Sequence, residues 1–418
     1  MARKWTVYSG AKARLVFALC CAALLPTVPA VAETGISDDV VRIGILNDQS
    51  GPFAANGGLG SVTAAKMAVE DFGGKVLGKP IEIIAADHQN KPDLGAATAR
   101  EWLDARKVDA IAEGSSSAVA LAVQDLTRSQ KRMFLMTSVA STELSGKACS
   151  PTGNQWSWDT YGLPNATAHA VVQQGDKSWF FITVDYTFGA ALERDTTGFV
   201  RKAGGTVVGS VRHPLNTNDF SSYILKATSS GAKVIALANA GSDFVQAVKQ
   251  AGEFGVTQGG KQRLVSLFAD INDIHGLGLN SAKGLFVAAS FYWNLDEKTR
   301  EWSHRFMARH NGRAPSMVQA GTYAAITHYL KAIAAAGTDS APVVARKMKE
   351  LPVEDFYNHG VVIRADGRVM HKMYLFEVKS PAESKGPWDY YKLVATIPAQ
   401  QAWRPLAEGE CPFAAAKQ

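Results

Sequence analysis

Three stretches of this chain carry residues that could do chemistry. The first is Glu113-Gly-Ser-Ser-Ser-Ala118, where the apolar run 108–112 stops at a glycine, three hydroxyls follow, and a helical pattern takes over at 118–126. A strand that feeds a helix in this way leaves the first helical N–H groups unpaired, with serine hydroxyls beside them and the positive end of the helix dipole behind. Such a turn can hold an anion; the same residues also fit an ordinary N-cap, which would use one or two of the serines. The second stretch, Asn56-Gly-Gly-Leu-Gly60, has the glycines of a phosphate loop without the Gly-Lys-Ser/Thr ending or the dinucleotide-binding spacing. The third, Asp270-Ile-Asn-Asp-Ile-His275, is acidic enough to attract a metal but lacks the calcium-loop glycine and distal glutamate, so it reads as a solvated helix start capped by Asp270. His-Glu-x-x-His, Cys-x-x-Cys and Gly-x-Ser-x-Gly are all missing from the sequence. The expectation is a protein that binds rather than catalyses, with no metal and no cofactor.

The elements that must position these residues alternate. Strand patterns at 41–46, 81–84, 108–111 and 133–136 are separated by helical patterns at 62–72, 93–105 and 118–126. A second series has strands at 179–183, 206–211, 233–237 and 263–267, with helices at 190–201, 221–229 and 244–253. A strand at 285–289, long helices at 299–309 and 317–335, and a hairpin signal at Asp366-Gly367 between 361–363 and 373–378 complete the chain. This order predicts an α/β fold of two lobes, each a mainly parallel sheet flanked by helices, joined by a hinge of several strands. Residues 33–157 with 290–358 form the first lobe, and 158–289 with 359–418 the second, the C-terminal segment crossing back near the hinge. Trp156, Trp158, Phe291, Tyr292 and Trp293 are expected in core or hinge packing.

The first 32 residues follow a different rule. Arg3, Lys4, Lys12 and Arg14 precede the apolar run 15–25, then come Pro26, Pro29 and Ala30-Val31-Ala32, the layout of a secretory signal cleaved after Ala32. Leu19 stands where lipid attachment at Cys20 or Cys21 wants a small residue. Removal of the leader takes away four cations and no acid, lowering the formal charge from +6 to +2, so the basic balance gives no reason to expect nucleic acid or an anionic membrane. Cys149 and Cys411 remain, and two cysteines in an oxidising compartment read as one disulfide, the alternative being two buried thiols.

With these pieces in order, the chain resembles the periplasmic solute-binding proteins of branched-chain amino acid ABC importers. The likeness rests on Val41-Arg-Ile-Gly-Ile-Leu-Asn-Asp-Gln-Ser-Gly-Pro52, Asp87 with Lys91-Pro92-Asp93, Gly114-Ser-Ser-Ser117, Thr137-Ser-Val-Ala-Ser-Thr-Glu-Leu144 and Asp185-Tyr-Thr-Phe-Gly189. Trp293, Ala320-Gly-Thr-Tyr323 and the segment from Glu383 to Tyr390 look like the branch that takes aromatic acids or undetermined ligands. The resemblance implies a monomeric periplasmic receptor that captures a small carboxylate-bearing ligand between its lobes and delivers it to a membrane permease. A ligand sensor of the same fold is the alternative. It further implies that the ligand carboxylate meets Ser115 and the segment Ser138, Val139 and Ala140, with Ala140 standing where the family presents a hydroxyl. The family's first-loop aromatic falls on Asn56, its second-lobe aromatic on Phe188 with Tyr186 nearby, and its ammonium-pairing acid near Asp270.

Overall fold

In a computed structural model, Met1 and residues 35–256 and 261–414 are described; the leader, its cleavage site and Cys20 and Cys21 lie outside the described residues. The first series of strands is β1 (Val41–Asn47), β2 (Lys75–Val76), β3 (Lys79–Asp87), β4 (Ala110–Glu113), β5 (Met133–Met136) and β6 (Gly153–Gln155). They make one sheet in the order β2-β3-β1-β4-β5-β6, parallel throughout except for the β2-β3 hairpin. The near-continuous apolar runs of β1, β4 and β5 are buried, as strands covered on both faces must be. The helices that cover them include α1 (Gly58–Asp71), α2 (Pro92–Asp104) and α3 (Ser117–Ser129).

After α4 (Gly162–Gln173) the second series begins with β7 (Ser178–Val184), α5 (Thr187–Lys202), β8 (Thr206–His213), α6 (Ser221–Ser229), β9 (Val234–Ala238), α7 (Gly241–Glu253) and β10 (Arg263–Ser266). These strands form an all-parallel sheet in the order β10-β9-β7-β8. The short helices α8 (Ile271–Leu277) and α9 (Leu279–Ala282) lead to β11 (Phe286–Ala289). Three helices follow, α10 (Glu297–Arg309), α11 (Met317–Ala336) and α12 (Ala341–Glu350), and α11 packs along α1. Finally β12 (Met373–Val378) and β13 (Tyr391–Ile397) join β11 in an antiparallel sheet, and α13 (Ala399–Ala402) precedes Trp403. No helix among the described residues is long and apolar enough to cross a membrane.

The hairpin expected between 361–363 and 373–378 is corrected. Residues 363 and 369 do close a turn at Gly367, but the strand at 373–378 pairs with Tyr391–Ile397 and with Phe286–Ala289 instead. Asp366-Gly367 marks a real turn; it joins single bridges, not two strands. The solvated helix start expected at Asp270 is also corrected, because Asp270 caps α8 in a capping box with Asp273 while both are buried.

Two devices fix the loops that matter later. Ser316 caps α11, and its Oγ donates to the Asn56 carbonyl at 2.6 Å while Gln319 Nε2 donates to the Gly57 carbonyl at 3.2 Å, so a helix start holds the 56–57 turn. Buried Arg368 donates to the backbone carbonyls of Trp156 and, at 3.1 Å, Trp158, and lies 3.9 Å from the centre of the Trp403 ring. Burial lowers its pKa to about 10, which still leaves it a cation at neutral pH. Cys149 and Cys411 form a disulfide that ties the C-terminal segment to the loop before β6.

Candidate functional site

A cavity opens where the carboxyl ends of the two parallel sheets face each other. Its walls come from the loop after each strand: Phe53 and Asn56 follow β1, Ser115 and Ser117 follow β4, Ser138 and Ala140 follow β5, and Trp158 follows β6. Tyr186 and Phe188 follow β7, Ala240 follows β9 and Phe268 follows β10. In each sheet the neighbouring connections diverge at one strand, β1 in the first and β7 in the second, which is where open parallel sheets present ligand crevices.

The cavity is apolar on one side and donor-rich on the other. Trp158 stacks on Phe268 with centroids 4.3 Å apart and planes 6° from parallel, and Phe188 meets both rings edge-on at 6.1 and 6.4 Å. Beside these rings, Ser117 Oγ, Asn56 Oδ1 and the Nε1 of Trp158 itself are buried with no hydrogen-bond partner among the described residues. Buried polar atoms are nearly always paired, so orphans at one cavity mark where another molecule's polar atoms belong. Three helices start here: α3 at Ser117, α5 at Thr187 and α7 at Gly241. Their unpaired N–H groups and dipoles favour negative charge. Among the described residues, no lysine, arginine or histidine lines the cavity.

Beneath Ser115 the turn is strained and polar. Glu113, Gly114 and Ser115 have φ of 86°, 100° and 41°, so two non-glycine residues with positive φ flank Gly114. What holds them there is the Glu113 carboxyl, which accepts from Ser115 N at 2.8 Å and from Ser115 Oγ at 2.6 Å. Asn47 Nδ2 and Ser61 Oγ reach its other oxygen. Burial pushes Glu113 up to about 7, against the pull of those hydrogen bonds. On the second sheet's side, burial foremost and then Asp243 and Asp48 raise the Tyr186 hydroxyl, which stays neutral.

Of the residues named from sequence, Asn56, Ser115, Ser138, Ala140, Tyr186 and Phe188 line this cavity. Val139 does not; its side chain is buried against Gly114 and its carbonyl accepts from Gln155 Nε2 at 3.0 Å. Asp270 lines a second cavity with Tyr292, Met317 and Tyr391. Between the two cavities stands Asn56, whose Nδ2 donates to Asp273 Oδ2 at 3.4 Å, while the same oxygen accepts from Asp270 N at 2.8 Å. Burial, and for Asp270 the charge of Asp273, raises both acids above the usual carboxylate range. Sequence reasoning did not assign Phe53, Ser117, Trp158, Ala240 or Phe268 to the ligand. The signal that would have found them is position, since each follows the carboxyl end of a parallel strand.

The lobes also touch across the cavity. Gly241, with φ of 57°, lies so near the loop of Pro52 and Phe53 that a Cβ there would sit 2.3 Å from the Pro52 carbonyl oxygen. Two parallel sheets closing their strand ends over a cavity have the layout of a receptor for a small solute. The chain belongs to the periplasmic binding protein family, whose profile matches residues 40–387. It is similar to a periplasmic binding protein from Burkholderia mallei, with 46% identity, a TM-score of 0.87, and 90% of this chain and 99% of that one covered. Similarity extends to a branched chain amino acid ABC transporter periplasmic ligand-binding protein from Burkholderia xenovorans LB400, with 36% identity, a TM-score of 0.80, and 89% and 99% covered. Among curated relatives, Leu/Ile/Val-binding protein homolog 6 of Brucella melitensis is 27% identical over 279 residues, 65% of this chain and 69% of that protein. The fold and family are those of solute-binding proteins of the leucine and branched-chain type of ABC transporter, not of enzymes, and the family implies a periplasmic location.

Proposed function

We propose that the protein captures a small apolar or aromatic carboxylic acid between its lobes and delivers it to an ABC permease as a monomer. One lobe comprises residues 33–157 with 290–358 and the other 158–289 with 359–418; the observation that carries the ligand class is the composition of the cavity. Ser117 Oγ and Trp158 Nε1 are orphaned donors at a cavity walled by stacked rings, at the starts of three helices, with no acid among the described lining residues. The carboxylate goes to Ser115, Ser117, Ser138 and the N–H groups of α3, and the hydrocarbon body to Trp158, Phe188 and Phe268. A buried ammonium without a carboxylate partner costs several kcal/mol. Asp270 and Asp273 lie behind Asn56, and the Glu113 carboxyl beneath Ser115 is occupied by Ser115, Asn47 and Ser61.

A branched-chain amino acid is the second reading, favoured by the transporter class of the 36% identical structure. Calorimetric titration of leucine, its deaminated keto acid and benzoate separates the two. Both acids should bind at least about tenfold tighter than leucine, because a stranded ammonium costs more than the ~1.4 kcal/mol that tenfold represents. Leucine as the tightest of the three would reverse the assignment and bring Asp270 into the site.

Ser117→Ala should weaken the acid that binds by about ten- to a hundredfold, the value of a hydrogen bond to a charged group, with little change in a thermal melt. Its hydroxyl has no protein partner to lose. Ser115→Ala should lower both affinity and stability, because Ser115 Oγ also serves Glu113 and accepts from Asp48 N at 3.0 Å. An S117A protein with wild-type affinity would remove Ser117 from the site.

A further inference from the structure

We infer that Glu113 decides whether Ser115 can recognise a carboxylate, so that wherever Glu113 is ionised in the free protein, capture of an anionic ligand takes one proton from solvent onto its carboxyl. The inference rests on the proposed carboxylate contact at Ser115. Its basis is a count of protons and lone pairs. A serine hydroxyl has one proton to give and two lone pairs to fill. One lone pair of Ser115 Oγ takes the Asp48 N–H at 3.0 Å. While Glu113 is ionised it can only accept, so the Ser115 proton is spent on Glu113 Oε2 at 2.6 Å and nothing remains for a ligand. Once Glu113 is protonated its own O–H fills the second lone pair of Ser115 Oγ, and the serine proton turns to the ligand oxygen. Glu113 gains one proton, Ser115 keeps its proton, and the ligand stays a carboxylate.

Charge leads to the same result. An anion seated on Ser115 would lie against a buried glutamate, and the groups that face Glu113 offer no cation to offset two negative charges. Asn47 from β1 and Ser61 from α1 are neutral. Gly57 brings only its backbone, so close that a Cβ there would collide with Glu113 Oε1. His88, after β3, donates from Nε2 to the Gly114 carbonyl at 3.2 Å, and burial lowers its pKa. The Asp48 carboxylate is turned away, accepting from Gly51 N at 2.7 Å and Phe53 N at 2.9 Å. The raised pKa of Glu113 fits a group that can take this proton near neutrality.

Benzoate and leucine, titrated calorimetrically between about pH 5.5 and about pH 9 in buffers of different ionisation enthalpy, test the coupling. For whichever binds, affinity should be level below about pH 7 and fall about tenfold per pH unit above it, with the heat tracking buffer ionisation. Glu113→Gln, which cannot titrate, should flatten the profile and abolish the buffer dependence. A wild-type profile that is level throughout, with no proton uptake, overturns the inference while leaving the carboxylate site intact. If neither probe binds at the acid end, or if Ser115→Ala binds as tightly as wild type, the reading beneath it fails and the inference fails with it. The ligand-free protein gives a separate check by infrared difference between wild type and Glu113→Gln. A protonated-carboxyl band that persists to about pH 7 supports the inference, and its loss below about pH 5 overturns it.

Discussion

Gly241→Ala should reduce ligand affinity by about a hundredfold, roughly 2.7 kcal/mol, while the protein still folds. The added Cβ would lie 2.3 Å from the Pro52 carbonyl oxygen, and a backbone oxygen held in a loop cannot move aside as a side chain tip can. Asp48 fixes that loop through the N–H groups of Gly51 and Phe53. The collision arises only when α7 meets the loop after β1, so each sheet can form and the two can stand apart. A left-handed φ of 57° adds strain for any residue but glycine. Small-angle scattering reads the outcome: wild type should compact on adding the ligand and the variant should not. Wild-type affinity with full compaction would show that this contact plays no part in closure.

The second large effect is on stability. Cys149→Ser with Cys411→Ser should lower the unfolding free energy by as much as about 5 kcal/mol on the chain-entropy account, because the bond closes a loop with 262 residues of separation. Ligand affinity should hold, since neither cysteine lines the cavity. Urea titrations of wild type with and without reductant measure the difference directly. Coincident midpoints would show that the packing of Trp403 and Arg368 already holds the C-terminal segment.

Much of this architecture was legible because parallel sheets write themselves plainly. β1, β7 and β9 are apolar for most of their length since both faces are covered, and helices alternate with them at regular distances. Pairing over long separations was not legible. Met373–Val378 reads as one arm of a local hairpin until the sheet it joins is known, because Tyr391–Ile397 is an exposed edge strand with only its first residue buried. In the site, the turn at Gly114 and its serines could be read as an anion-binding helix start, but which hydroxyl was free could not. That depends on Glu113 occupying Ser115 and leaving Ser117 without a partner. Trp158 was legible as packing and does pack; its second role comes from Arg368, 210 residues away, holding its carbonyl. Phe53, three residues before Asn56 in the same loop, brings an aromatic ring to the cavity, and only the loop's path puts it on the wall.

The lack of any cation among the described residues that line the cavity bears on how a bound anion would leave. A ligand paired with a lysine or arginine must be pulled off an opposite charge, and the pair weakens with salt. Helix-start N–H groups and serine hydroxyls lose much less on opening, because water takes the place of each ligand oxygen as the sheets part. On the proposed carboxylate reading, release should therefore depend on rehydration of the cleft and respond little to ionic strength.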